Sequence, residues 1–121
     1  MAKSKARKKR EDKEHLAFVK MLPCCVCKRP APSDAHHILY APYPVLNYFG
    51  FRFLRGTALK APDMLVVPLC KEHHQTGKDA VHIIGSEGHF GNFWQLALDL
   101  YQNKGCDTVC YNLVMEYKID E

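Results

Sequence analysis

Residues 69–74 read Leu-Cys-Lys-Glu-His-His, and residues 23–27 read Pro-Cys-Cys-Val-Cys. These two stretches decide the fold. Cys24-x2-Cys27 and Cys70-x2-His73 form two ligand pairs in one short chain. An x2 gap lets both side chains of a knuckle face one ion. Structural zinc takes four ligands in a tetrahedron, and Cys3His is one of its standard sets. The spacing therefore predicts a zinc-clamped domain, with Cys24, Cys27, Cys70 and His73 as ligands. Cys25 competes with Cys24, but only one residue separates it from Cys27, so it reads as a packed free thiol. Cys106 and Cys110 stand at helical i,i+4 spacing without a second pair and read as core cysteines.

Around this clamp the chain is short. Its 121 residues suit one domain. No apolar run approaches the roughly 18 residues of a membrane span. The basic N-terminus is not followed by the apolar stretch of a secretory signal. The expected setting is the cytosol or its equivalent, where cysteines grouped with histidines are metal ligands rather than disulfide partners.

The net charge of +4 is uneven. Residues 1–20 hold eight Lys/Arg against three acidic residues, which leaves the rest of the chain close to neutral. Residues 1–14 have almost nothing to bury and are expected to be a disordered basic tail. Lys3, Lys5, Arg7, Lys8, Lys9 and Arg10 then suit phosphate-backbone contact through charge alone. The plainer reading is a solvated tail. Residues 15–121 form the single folded domain in this scheme.

Periodicity supplies an α+β outline. A short helix is expected over residues 15–22, ending at Pro23. Strands are expected over Ala35–Leu39 and Asp63–Leu69, and a helix from Cys70 to about Gly77. A helix over 92–103 buries Phe93, Leu96, Ala97 and Leu100. Residues 107–117 are ambiguous and lean to helix. Residues 41–62 read as a long irregular loop, a feature that is usually functional. Most of its aromatics are expected in the core beneath it, whereas Arg52, Arg55 and Lys60 are candidates for phosphate contact.

Of the six histidines left once zinc is satisfied, four flank the clamp. His36 and His37 are neighbours on a predicted strand, so their side chains point to opposite faces. His74 projects about 100° away from His73 on the predicted helix. His82 follows after Gly77. This arrangement places a second metal beside the first without shared ligands.

Cys-x2-Cys, then His-His-Ile, then Leu-Cys-x2-His-His, in that order, resembles the HNH endonucleases with a ββα-metal (His-Me finger) motif. Asp34-Ala35-His36-His37, Gly56-Thr57-Ala58-Leu59-Lys60, Val67-Pro68-Leu69-Cys70 and His73-His74-Gln75 with Val81-His82 resemble more closely the phage recombination-enhancement (Ref-like) nucleases. The likeness spans about residues 22–100. It implies that His36 and His74 ligate a catalytic divalent metal (Mg2+, Mn2+, Ni2+ or Zn2+) and that His37 is the general base. It also implies cleavage of DNA phosphodiester bonds in recombination or repair, and dependence on a host recombinase filament. Two departures matter. The usual Asn between the halves is not evident, and Asp63 is its stand-in as orienter of the base or the loop. The usual last helix ligand would fall at Lys78, so His82 takes that place, with Gly77 turning the chain back. The competing reading is a non-catalytic, zinc-stabilised nucleic-acid-binding module, which would have no use for the four extra histidines.

Overall fold

The computed structural model describes residues 10–56, 59–78, 80–85 and 87–119. Its elements in order are α1 (Lys13–Lys20), β1 (Asp34–His37), α2 (Tyr43–Tyr48), β2 (Val66–Leu69), a π-helical turn (Glu72–Thr76), α3 (Val81–Ile84), a 3-10 turn (Glu87–Phe90), α4 (Phe93–Gln102) and α5 (Asp107–Glu116). The class is α+β, with one two-stranded sheet among the described residues. None of their helices is long and apolar enough to cross a membrane.

β1 and β2 are antiparallel, with Asp34 opposite Leu69, Ala35 opposite Pro68, His36 opposite Val67 and His37 opposite Val66. β2 is buried throughout, and α4 packs on it with Phe93, Leu96, Ala97 and Leu100 inward. These are the four positions that the 3.6-residue period selects. Phe93, Leu96 and Leu100 contribute about 1.5–3 kcal/mol each on burial. On β1 the alternation holds: His36 is buried and His37 is about one-third exposed.

Both strands are shorter than expected. Past His37, the Leu39 and Tyr40 amides donate to the Glu87 carboxylate, at 2.8 and 3.1 Å, instead of to a neighbouring strand. Ahead of β2, the Asp63 amide donates to Arg10 O and the Leu65 amide to Pro62 O, so the pairing stops after the Ile38 amide's 3.3 Å bond to Leu65 O. The stretch 41–62 is not wholly irregular, because Pro44 in the first turn of α2 supplies a preset helical φ. Its aromatics divide. Phe51 is buried and Phe49 partly buried, but Tyr43, Tyr48 and Phe53 are exposed, so the core takes fewer of them than expected.

The N-terminal boundary also differs. Arg10 is buried and donates to Phe53 O, Leu54 O and Lys60 O at 2.6–3.0 Å, with its guanidinium 4.6 Å from the Phe51 ring centre. Asp12 caps α1 by accepting from the His15 amide at 3.0 Å, and it pairs with Lys104 at 2.9 Å. Residues 10–14 therefore belong to the fold and not to a disordered tail. Arg10 is corrected from a phosphate contact to the anchor of the 51–60 loop. Three carbonyl acceptors around one guanidinium leave no free fork for a phosphate. Lys3, Lys5, Arg7, Lys8 and Lys9 lie outside the described residues.

Candidate metal centre

The first cluster joins the loop after α1 to the turn after β2. Two contacts fold the knuckle at 24–28: the Lys28 amide donates to Cys24 O and the Cys24 amide to Arg29 O, both at 2.9 Å. Lys28 holds φ at 65°, the left-handed conformation that closes the knuckle. The Cys25 amide donates to Pro68 O at 3.0 Å, which docks the knuckle on β2. Lys28 Nζ also reaches the Val114 and Tyr117 carbonyls, at 2.8 and 2.7 Å, tying the knuckle to the end of α5.

Cys24, Cys27, Cys70 and His73 converge here, each with a ligand atom within 4.8 Å of the others. Cys27 Sγ and Cys70 Sγ are 3.7 Å apart, and His73 Nδ1 is 3.2 Å from Cys70 Sγ and 3.9 Å from Cys24 Sγ. Zn–S bonds of about 2.3 Å and Zn–N bonds of about 2.0–2.1 Å set two sulfurs about 3.8 Å apart across a tetrahedral ion, and sulfur from nitrogen about 3.5 Å. The four side chains fit such an ion and could hold a metal such as zinc.

Their electrostatics agree. Burial raises the Cys24 thiol, but backbone hydrogen bonds from Cys27, Cys70 and Val26 outweigh it and hold the group below the ordinary thiol range. Burial, with Cys24 close by, pushes Cys70 up to about 11. A second thiolate beside the first is unfavourable unless a cation lies between them, a condition that bound zinc meets. Cys25 takes no part; burial raises its thiol well above the usual range. Cys110 is buried as expected of a core cysteine, whereas Cys106 is exposed, because it lies at the N-cap of α5 and not inside it.

The second cluster shares the turn after β2. The π-helical turn closes with the Gly77 amide donating to Glu72 O at 2.8 Å. Its extra residue per turn replaces the regular helix expected from Cys70 to Gly77. His73 meets the cysteines, and its neighbour His74 meets a different set. His74 Nδ1 is 3.0 Å from Asp34 Oδ2, and His74 Nε2 is 3.0 Å from His82 Nε2. His36 is buried against both rings, with centroid distances of 5.1 and 5.9 Å. His36, His74 and His82 each offer a nitrogen within 4.8 Å of the others. Two nitrogens on one tetrahedral zinc would be about 3.3 Å apart, so this trio could also hold an ion. The chain does turn back after Gly77 to deliver His82, while Lys78 is exposed.

His37 Nε2 is 2.8 Å from Asp63 Oδ1. Asp63 is fully buried, accepts from the Asp12 amide at 3.0 Å and lies 3.7 Å from Lys60 Nζ. Of the two partners expected for Asp63, the base candidate or the loop, it contacts His37. Arg52, Arg55 and Lys60 are exposed. Sequence reasoning missed two carboxylates. Asp34 could have been found, since i,i+2 on a strand puts it on the face of His36. Glu87 carried no signal, because its contacts with His36, Leu39 and Tyr40 span 47–51 positions.

Fold and site together define a small α+β domain with a Cys/His cluster that could hold a metal ion. A family model described as "Protein of unknown function (DUF968)" matches residues 1–101, and the chain belongs to that family. No curated protein and no solved structure matches it.

Proposed function

We propose that the protein is a metal-dependent DNA endonuclease of the HNH (ββα-metal) type, in which zinc on Cys24, Cys27, Cys70 and His73 holds the fold. The observation that carries this reading is that β1 carries His37, paired with Asp63, next to His36 of a three-histidine cluster. A zinc-clamped binding module needs neither feature.

With Nε2 turned to Asp63, His37 has Nδ1 left to take a proton from the attacking water. Asp63 fixes the ring's orientation and offsets the positive charge that His37 gains on protonation. Its other oxygen is tied to the Asp12 amide, so it does not swing with the ring. His36, His74 and His82 would hold a second divalent cation, whose charge would bind the scissile phosphate and stabilise the leaving oxygen. All-imidazole donors suit Zn2+, Ni2+, Co2+ or Mn2+ better than Mg2+. Arg52, Arg55 and Lys60 would grip the backbone without reading sequence, which makes binding strongly salt-dependent.

Purified protein incubated with plasmid and with single-stranded DNA, across these metals, tests the reading. Cleavage should require a divalent metal beyond the structural zinc. His37→Ala should lower the rate by about 100-fold or more while leaving fold and zinc content intact. Cutting by His37→Ala near the unsubstituted level would refute the base assignment. Absence of any cutting would leave the zinc-clamped binding module as the better account.

A further inference from the structure

We infer that Glu87 and Asp34 are positioning residues that decide which ring nitrogen of His36 and of His74 faces a metal. The histidine site then takes its ion through His36 Nδ1 and the Nε2 atoms of His74 and His82. This rests on the metal-binding part of the proposed function.

A neutral imidazole has one N–H and one lone pair, and only the lone pair can ligate. Glu87 Oε2 accepts from the Leu39 amide at 2.8 Å and lies 3.0 Å from His36 Nε2; Oε1 accepts from the Tyr40 amide at 3.1 Å. Backbone N–H groups can only donate, so both carboxylate oxygens serve as acceptors. His36 Nε2 is then the donor of the third bond, and its lone pair is at Nδ1. The His36–Glu87 contact is nearly sealed from solvent, with side chains 2% and 9% exposed, so water offers no ready substitute. Asp34 does the same for His74 from the opposite ring atom. Its Oδ2 takes Nδ1–H at 3.0 Å and frees Nε2 toward His82.

The two carboxylates thus impose a mixed ligand set, one Nδ1 and two Nε2. Glu87 does a second task with the same group. By taking the Leu39 and Tyr40 amides it ends β1, so the strand end and the ring of His36 are fixed as one unit. Without it the ring can turn over, and the wrong nitrogen faces the site. Removing such outer partners typically weakens metal binding 10–100-fold.

The test uses zinc-loaded full-length protein. Long-range proton–nitrogen spectra of the imidazoles, taken before any second metal is added, should show His36 protonated at Nε2 and His74 at Nδ1. Calorimetric titration with Ni2+ should then give one further site, weakened about 10–100-fold in Glu87→Gln and in Asp34→Ala, with zinc content retained in both and the thermal midpoint retained in Asp34→Ala. The reverse tautomers, or Ni2+ affinities within about threefold of the unsubstituted protein, would overturn the assignment to these carboxylates. No Ni2+ uptake by the unsubstituted protein would overturn the metal reading beneath it and this inference with it. Should Glu87→Gln fold poorly, Asp34→Ala and the spectra still decide, because Asp34 is a half-exposed strand residue.

Discussion

The Cys24/Cys27/Cys70/His73 cluster is three thiols and one imidazole set among backbone amides, while the His36/His74/His82 cluster is all imidazole and backed by carboxylates. Both depend on one π-helical turn, where adjacent residues His73 and His74 serve one cluster each. The first ties together the knuckle, β2 and, through Lys28, the end of α5. The second ties the end of β1 to α3 and the 3-10 turn, with His82 exposed. Two ligands of the first, Cys24 and Cys70, are part of the buried core, whereas only His36 of the second is buried. Stability should therefore reside in the first and chemistry in the second.

The largest break in this comparison should come from the thiols. Cys70→Ser, or a strong chelator, removes a metal contribution of about 10 kcal/mol or more, and circular dichroism should report an unfolded chain. His74→Ala should act in the opposite sense. Metal analysis should show the second ion lost and the first retained, with stability changed by roughly 1 kcal/mol.

Gly77→Ala tests the shared turn. A Cβ there would lie 2.5 Å from Glu72 O, closer than real contacts allow, so the turn must open. A loss of about 1–3 kcal/mol is expected, with both metals bound more weakly; weakening at one site alone would show that the turn is not shared in the way described.

The smallest effect is a pH dependence away from both clusters. His15 is almost wholly buried, its ring nitrogens find no partner among the described residues, and burial lowers its pKa to about 4. The unfolded chain takes up this proton near pH 6.5 and the folded chain only near 4. Stability from this residue is thus complete above about 6.5 and is lost as pH falls toward 4. Denaturant melts should show His15→Phe gaining roughly 1–2 kcal/mol relative to the unsubstituted protein between pH 7 and 5. Metal release in acid affects both proteins and cancels in the difference.

What could be read from sequence was local. The x2 gaps placed the thiols, the alternation on β1 separated His36 from His37, and the period in α4 gave its buried face. The return of His82 and the pairing of Asp63 with His37 came from the likeness of motif order. What could not be read was long-range. One more arginine in a basic run gives no sign that its guanidinium will lie over Phe51, as that of Arg10 does. Nor does a glutamate between a serine and a glycine reveal that it will stop a strand 47 positions earlier. The π-helical turn escaped for another reason: a single inserted residue does not alter an apolar pattern this short.

The most direct measurement is the metal content of the folded full-length chain, by native mass spectrometry with and without added Ni2+. The account predicts one zinc that cannot be stripped without unfolding and a second ion that exchanges freely and vanishes in His74→Ala. A chain that stays folded with no metal, or one that never binds more than a single ion, would contradict it.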